Sequence, residues 1–170
     1  MKQYQIIIIS IAISFVVFGL LSACKKENLQ NISTHQACKS NIKQGIVGQV
    51  IWKEGNLRPQ KNKPMKEGLP IERKILIYKL THIKQITQIG RFYENPTSVF
   101  VGATQSNEKG CFEMDLEVGQ YSIFVEEVNE KGIKKLYANS LDTENNIFKI
   151  EITRNKQSYT TIIVDYKARY

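Results

Sequence analysis

The stretch Gln120-Tyr121-Ser122-Ile123-Phe124-Val125-Glu126-Glu127 decides how the rest of the chain is read. Tyr121, Ile123 and Val125 recur at every second position, the spacing that places side chains on one face of a β-strand. Turn chemistry stands on its upstream side. Glu117-Val118-Gly119 makes one turn, and Ser106-Asn107-Glu108-Lys109-Gly110 suits a hairpin, with Gly110 fitted to a positive φ. Cys111 to Leu116 then reads as the strand between the two turns, and Ser98 to Thr104 as the strand before them.

Working outward, the same pattern recurs. Gly45-Ile46-Val47-Gly48-Gln49-Val50-Ile51-Trp52 alternates, with Ile46, Val50 and Trp52 on one face. A loop rich in breakers runs from Lys53 to Pro70, and Ile71 to Leu80 forms the next strand, with Ile71, Ile75 and Ile77 on one face. Thr81 to Thr97 reads either as an irregular excursion or as a short helix, ended by Asn95-Pro96. Residues 128–146 are polar, with a short strand near Leu136-Tyr137. Ile147 to Thr153 and Tyr159 to Tyr166 close the chain as two strands. Together these predict an all-β fold, a seven- to eight-stranded antiparallel β-sandwich, because no helix of crossover length lies between the strands.

Thr104-x-x-Asn107-x-x-Gly110-x-Phe112-x-x-x-Leu116-x-x-Gly119-x-Tyr121-x-Ile123-x-Val125 resembles the signature of carboxypeptidase regulatory-like domains, whose sandwich is of the transthyretin-like (prealbumin-like) type. The opening Gly45-Ile46-Val47-Gly48-x-Val50 fits the first strand of such domains, although its glycines are three apart where four is usual. Trp52-x-Glu54-Gly55-Asn56-x-x-Pro59 and the terminal Tyr166-Lys167-Ala168-x-Tyr170 look like a branch of small secreted or lipid-anchored proteins from Bacteroidetes. The resemblance covers residues 45–170 and implies an accessory or interaction module with no shared catalytic residues. Transthyretin-like folds include hydrolases, but their signature histidines are absent from this sequence.

The N-terminus carries a different message. Residues 1–23 hold a single charge, Lys2, ahead of an apolar run from Ile6 to Leu21, the pattern of an export signal. The run ends in Leu21-Ser22-Ala23-Cys24, which looks like a bacterial lipobox. That resemblance implies lipid on the Cys24 thiol and cleavage before it. Two or more acyl chains hold a protein to a bilayer, each buried methylene contributing about 0.8 kcal/mol. The alternative is an uncleaved signal anchor. Residues 24–44 are polar and without period, and read as the lipidated cysteine and a flexible tether to a domain at 45–170. The expected location is the bacterial outer membrane, on its periplasmic face or at the cell surface.

The formal net charge is +8, of which Lys2 leaves with the signal and three charges lie in the tether, where Lys25, Lys26, Lys39 and Lys43 face Glu27 alone. The domain itself is only mildly basic, and no nucleic-acid motif is present. In an oxidising compartment Cys38 and Cys111 could pair; otherwise Cys111 is a small buried apolar side chain. No cofactor is expected, and no metal, since His35 and His82 have no second ligand at a defined spacing. The candidate binding surface is the basic loop holding Lys53, Arg58, Lys61, Lys63 and Lys66, whose bland reading is a solvated loop. These readings predict a lipid-anchored, non-catalytic binding or assembly module of the cell envelope with an envelope-protein partner. The alternative is a carbohydrate-binding module of a surface glycan-uptake system.

Overall fold

The computed structural model describes residues 38–59, 61 and 67–170. Eleven strands follow in order: β1 (Gly45–Asn56), β2 (Leu69–Pro70), β3 (Lys74–Lys79), β4 (Thr87–Ile89), β5 (Phe92–Glu94), β6 (Phe100–Gln105), β7 (Cys111–Asp115), β8 (Gly119–Val128), β9 (Lys134–Tyr137), β10 (Lys149–Ile152) and β11 (Gln157–Arg169). They form the two sheets of a β-sandwich. In the first, β1 lies between β11 on one side and β7 and β2, end to end, on the other. In the second the order is β4-β5-β9-β8-β3-β6, with β10 beside the first half of β8. The eight strands anticipated from alternation are β1, β3 and β6 to β11. The short β2, β4 and β5 are additions.

Alternation along β8 is realised as read. Tyr121, Ile123 and Val125 enter the core between the sheets, with Ile46 and Val50 from β1, Ile75 and Ile77 from β3, and Ile162 and Val164 from β11. The Tyr121 hydroxyl donates to the Glu117 carbonyl at 2.9 Å, which ties down the turn that feeds the strand. Trp52 is half-buried against the edge of this core.

Two expectations about connectivity are corrected. Every strand pair is antiparallel except β1 with β11, which run parallel from Gly45↔Gln157 to Asn56↔Arg169. Parallel neighbours need a long crossover, and here the whole intervening chain, passing through both sheets, is that crossover. The turn from Ser106 to Gly110 does not close a hairpin, because β6 pairs with β3 and β7 with β1. It is a corner between the sheets. Its chemistry is nonetheless as read: Asn107 Oδ1 accepts from the amides of Lys109 and Cys111, both at 3.0 Å. Gly110 has φ +73°, and a Cβ there would lie 2.4 Å from the Val50 carbonyl oxygen. Gly48 is required for another reason, since the Phe112 ring occupies the place of its missing Cβ, 2.6 Å away.

The ambiguous excursion contains both irregular chain and a helical turn. A 3-10 helix over Ile83–Gln85 is capped by His82, whose Nδ1 accepts from the Lys84 amide at 3.0 Å while Gln85 Oε1 accepts from the His82 amide. The β4–β5 hairpin follows, turning at Gly90. Ile83 and Ile86 pack with Tyr93, Phe124 and Ile147 into a second apolar cluster on the outer face of the second sheet. Thus β8 is buried on both faces.

The tether also ends earlier than expected. Residues 38–44 lie against the first sheet as a strap. Cys38 is disulfide-bonded to Cys111, the Asn41 amide donates to Glu113 Oε2, and Gln44 Nε2 donates to the Leu116 carbonyl. Gln157 Nε2 of β11 donates to the Ile42 carbonyl. Held by β7 on one side and β11 on the other, the strap crosses the outer face of β1, where Val47 is fully buried.

Candidate functional site

Aromatic side chains from four strands converge where β1, β5, β9 and β11 meet the end of β8. Tyr166 is the hub: its ring centroid lies 5.2 Å from Trp52, 4.9 Å from Phe92 and 5.4 Å from Tyr137. Its position follows from a bulge. Opposite the single residue Lys53, β11 supplies two, Asp165 and Tyr166, and such an insertion re-aims the side chains beside it.

An ion pair fastens this cluster to the second sheet. Glu127 is only 7% exposed and accepts from Arg73 Nε at 2.7 Å and from the Tyr166 hydroxyl at 3.0 Å. Arg73 and Lys167 both stand over the Trp52 ring, at 6.0 and 5.7 Å from its centroid, so the indole face is already occupied by cations. Burial, then the charge and hydrogen bond of Glu127, push the Tyr166 phenol up to about 12. Burial and the hydrogen bond to Asp165 raise Tyr137 further still. Near neutral pH both phenols are protonated and act as hydrogen-bond donors rather than bases.

Two hollows flank the Trp52–Tyr166 wall. The larger, of about 550 Å³, is walled by Phe92 and Tyr166, with Val128 and Ile133 at its mouth and Glu130, Lys131, Lys135 and Lys167 around them. Asn129 stiffens its rim, its Oδ1 accepting from the amides of Lys131 and Ile133 at 3.0 and 2.9 Å. The smaller, of about 430 Å³, lies between Trp52, Lys53, Leu57 and Leu69. Val128 and Ile133 are 57% and 50% exposed, leaving apolar surface at the mouth of the larger hollow. The chemistry on offer is stacking, apolar contact and charge pairing with a bound molecule. Among the described residues, no three His, Cys, Asp or Glu side chains converge as they would around a metal ion.

The five basic residues singled out in the sequence are not shown as one patch. Lys53 lines the smaller hollow, Lys61 is exposed, and Arg58 turns away to donate from Nε to the Tyr170 carbonyl at 3.2 Å. Lys63, Lys66 and the lipidation candidate Cys24 lie outside the described residues. The pairing of Arg73 with Glu127, 54 positions apart, escaped the sequence reading, in which Glu127 is solvated charge. A signal existed: Glu127 continues the inward row Tyr121, Ile123, Val125, and an acid in that row calls for a buried partner. Comparison with known proteins finds no significant match to a family model, a curated protein or a solved structure.

Proposed function

We propose that this chain is a lipid-anchored, non-catalytic binding module of the bacterial cell envelope that receives an envelope protein at the Trp52–Tyr166 end. The observation that carries the reading is the larger hollow, with apolar Val128 and Ile133 at its mouth and charges of both signs around them. An apolar centre inside a charged, polar rim is the anatomy of a protein-binding surface. Lipid on Cys24 and an outer-membrane location rest on the lipobox, and the Cys38–Cys111 disulfide supports an oxidising compartment. The transthyretin-like assignment rests on the motif, and Gly110 at the corner with Phe112, Leu116, Tyr121, Ile123 and Val125 in the core supports it.

The carbohydrate reading draws on the Phe92 and Tyr166 rings in the hollow, but the cations over Trp52 remove the largest ring as a sugar platform. Co-purification of the whole chain from detergent-solubilised membranes, beside a polysaccharide pull-down, tests the choice. The expected result is a stoichiometric envelope protein that Ile133→Asp releases. Polysaccharide retention with no such protein overturns the proposal in favour of a glycan ligand.

A further inference from the structure

The geometry points to β6 as a self-association edge, where two copies of this chain pair their β6 strands antiparallel about a two-fold axis. Among the described residues β6 closes one side of the second sheet and pairs with β3 alone. The Ser106 amide donates to the Arg73 carbonyl, so strand alternation turns the backbone groups of residues 104 and 102 toward β3 and those of Ala103 and Gln105 outward. Both outward residues are exposed, and no described residue bonds to their free side. Val99 and Phe100, at the start of the strand, are 67% and 52% exposed.

The edges at β11, β4 and β7 are guarded, as sheet edges usually are. On β11, the outward amide of Asp165 donates to the Tyr137 hydroxyl and its carbonyl accepts from Arg91 Nη1, and the strand carries Asp165, Lys167 and Arg169. β4 is three residues long, and β7 carries Glu113 and Asp115. β6 has none of these devices: from Asn95 to Asn107 there is no charged residue.

That neutrality argues for a second copy as the occupant. Across a two-fold the residue on the axis meets its own copy and every other residue meets the one equally far on the opposite side, so a strand without charges pairs with itself with no like-charge contact. Centred on Ala103, the pairing sets Ala103 against its own copy and Val101 of each strand opposite Gln105 of the other. The small Ala103 at the axis and Gly102 beside it leave room for close approach.

The mass of the whole chain in detergent, followed by light scattering over a concentration series, tests this. The expected result is a dimer for the native chain, monomers for Ala103→Lys and for Ala103→Glu, and a restored dimer when the two variants are mixed. An unchanged far-ultraviolet circular dichroism spectrum and a cooperative melting transition for each variant show that the exposed substitutions leave the fold intact. A native chain that is monomeric throughout, a dimer that survives either substitution, or a variant mixture that stays monomeric overturns the proposal.

Discussion

The two sheets cover their outer faces by different means. Over the first, a seven-residue strap at 38–44 is fastened by the Cys38–Cys111 bond and by hydrogen bonds from Gln44, Asn41 and Gln157. Over the second, the chain from His82 to Glu94 packs Ile83, Ile86 and Tyr93 against Phe124 and Ile147. One cover is covalent and polar, the other apolar. The contrast bears on where binding occurs: with both outer faces covered by the chain itself, the larger hollow at the end of β8 and the edge of β6 are among the surfaces that still face outward.

The largest separation between the covers comes from Phe124→Ala. Phe124 is fully buried, so its truncation should cost about 3 to 5 kcal/mol of unfolding free energy in urea and expose residues 83–94 to hydrogen exchange. The strap should be unaffected. Next, replacing Cys38 and Cys111 together by Ser opens a loop of sequence separation 73, a loss of about 2 to 4 kcal/mol. Exchange should then accelerate at 38–50 and not at 83–94. A smaller effect is expected from His82→Ala, which removes the cap of the 3-10 helix at about 1 kcal/mol and loosens the apolar cover alone.

The ion-paired end joins the two sheets and has its own signature. A phenol whose ionisation is pushed up by folding stabilises the fold fully below its ordinary value of 10. That stabilisation is lost as pH rises from 10 through about 12 for Tyr166. The native chain should therefore lose stability across that window while Tyr166→Phe does not, and below pH 9 the difference between the two should no longer change with pH. A variant with the same alkaline profile would remove Tyr166 from the linkage.

Legibility in the sequence followed the range of the cause. Strands β1, β3, β7 and β8 were readable because alternation of Ile46 and Val50, or of Tyr121, Ile123 and Val125, is a local consequence of a half-buried strand. The excursion at 81–97 lacks alternation, since its order comes from a capping histidine and from contact with Phe124 far along the chain. Likewise the parallel meeting of β1 with β11, the corner at Asn107 and the anchoring of Asn41 by Glu113 are set by partners distant in sequence. The pairing of Cys38 with Cys111 was one of two readings open from composition, and the structure selects it. At the site, Trp52 and Lys53 were visible as residues, whereas the Arg73–Glu127–Tyr166 connection needed the fold.

The claim that binding belongs to one end of the sandwich has a built-in control. Ile133 follows β8 and Val118 precedes it, so the two lie beyond opposite ends of a ten-residue strand, with similar exposures of 50% and 55%. A photoreactive side chain at each position, in the whole chain in its native membrane, measures contact directly. A discrete cross-linked envelope protein is expected from position 133 and none from position 118. Equal cross-linking from both positions, or a product from 118 alone, would contradict that claim.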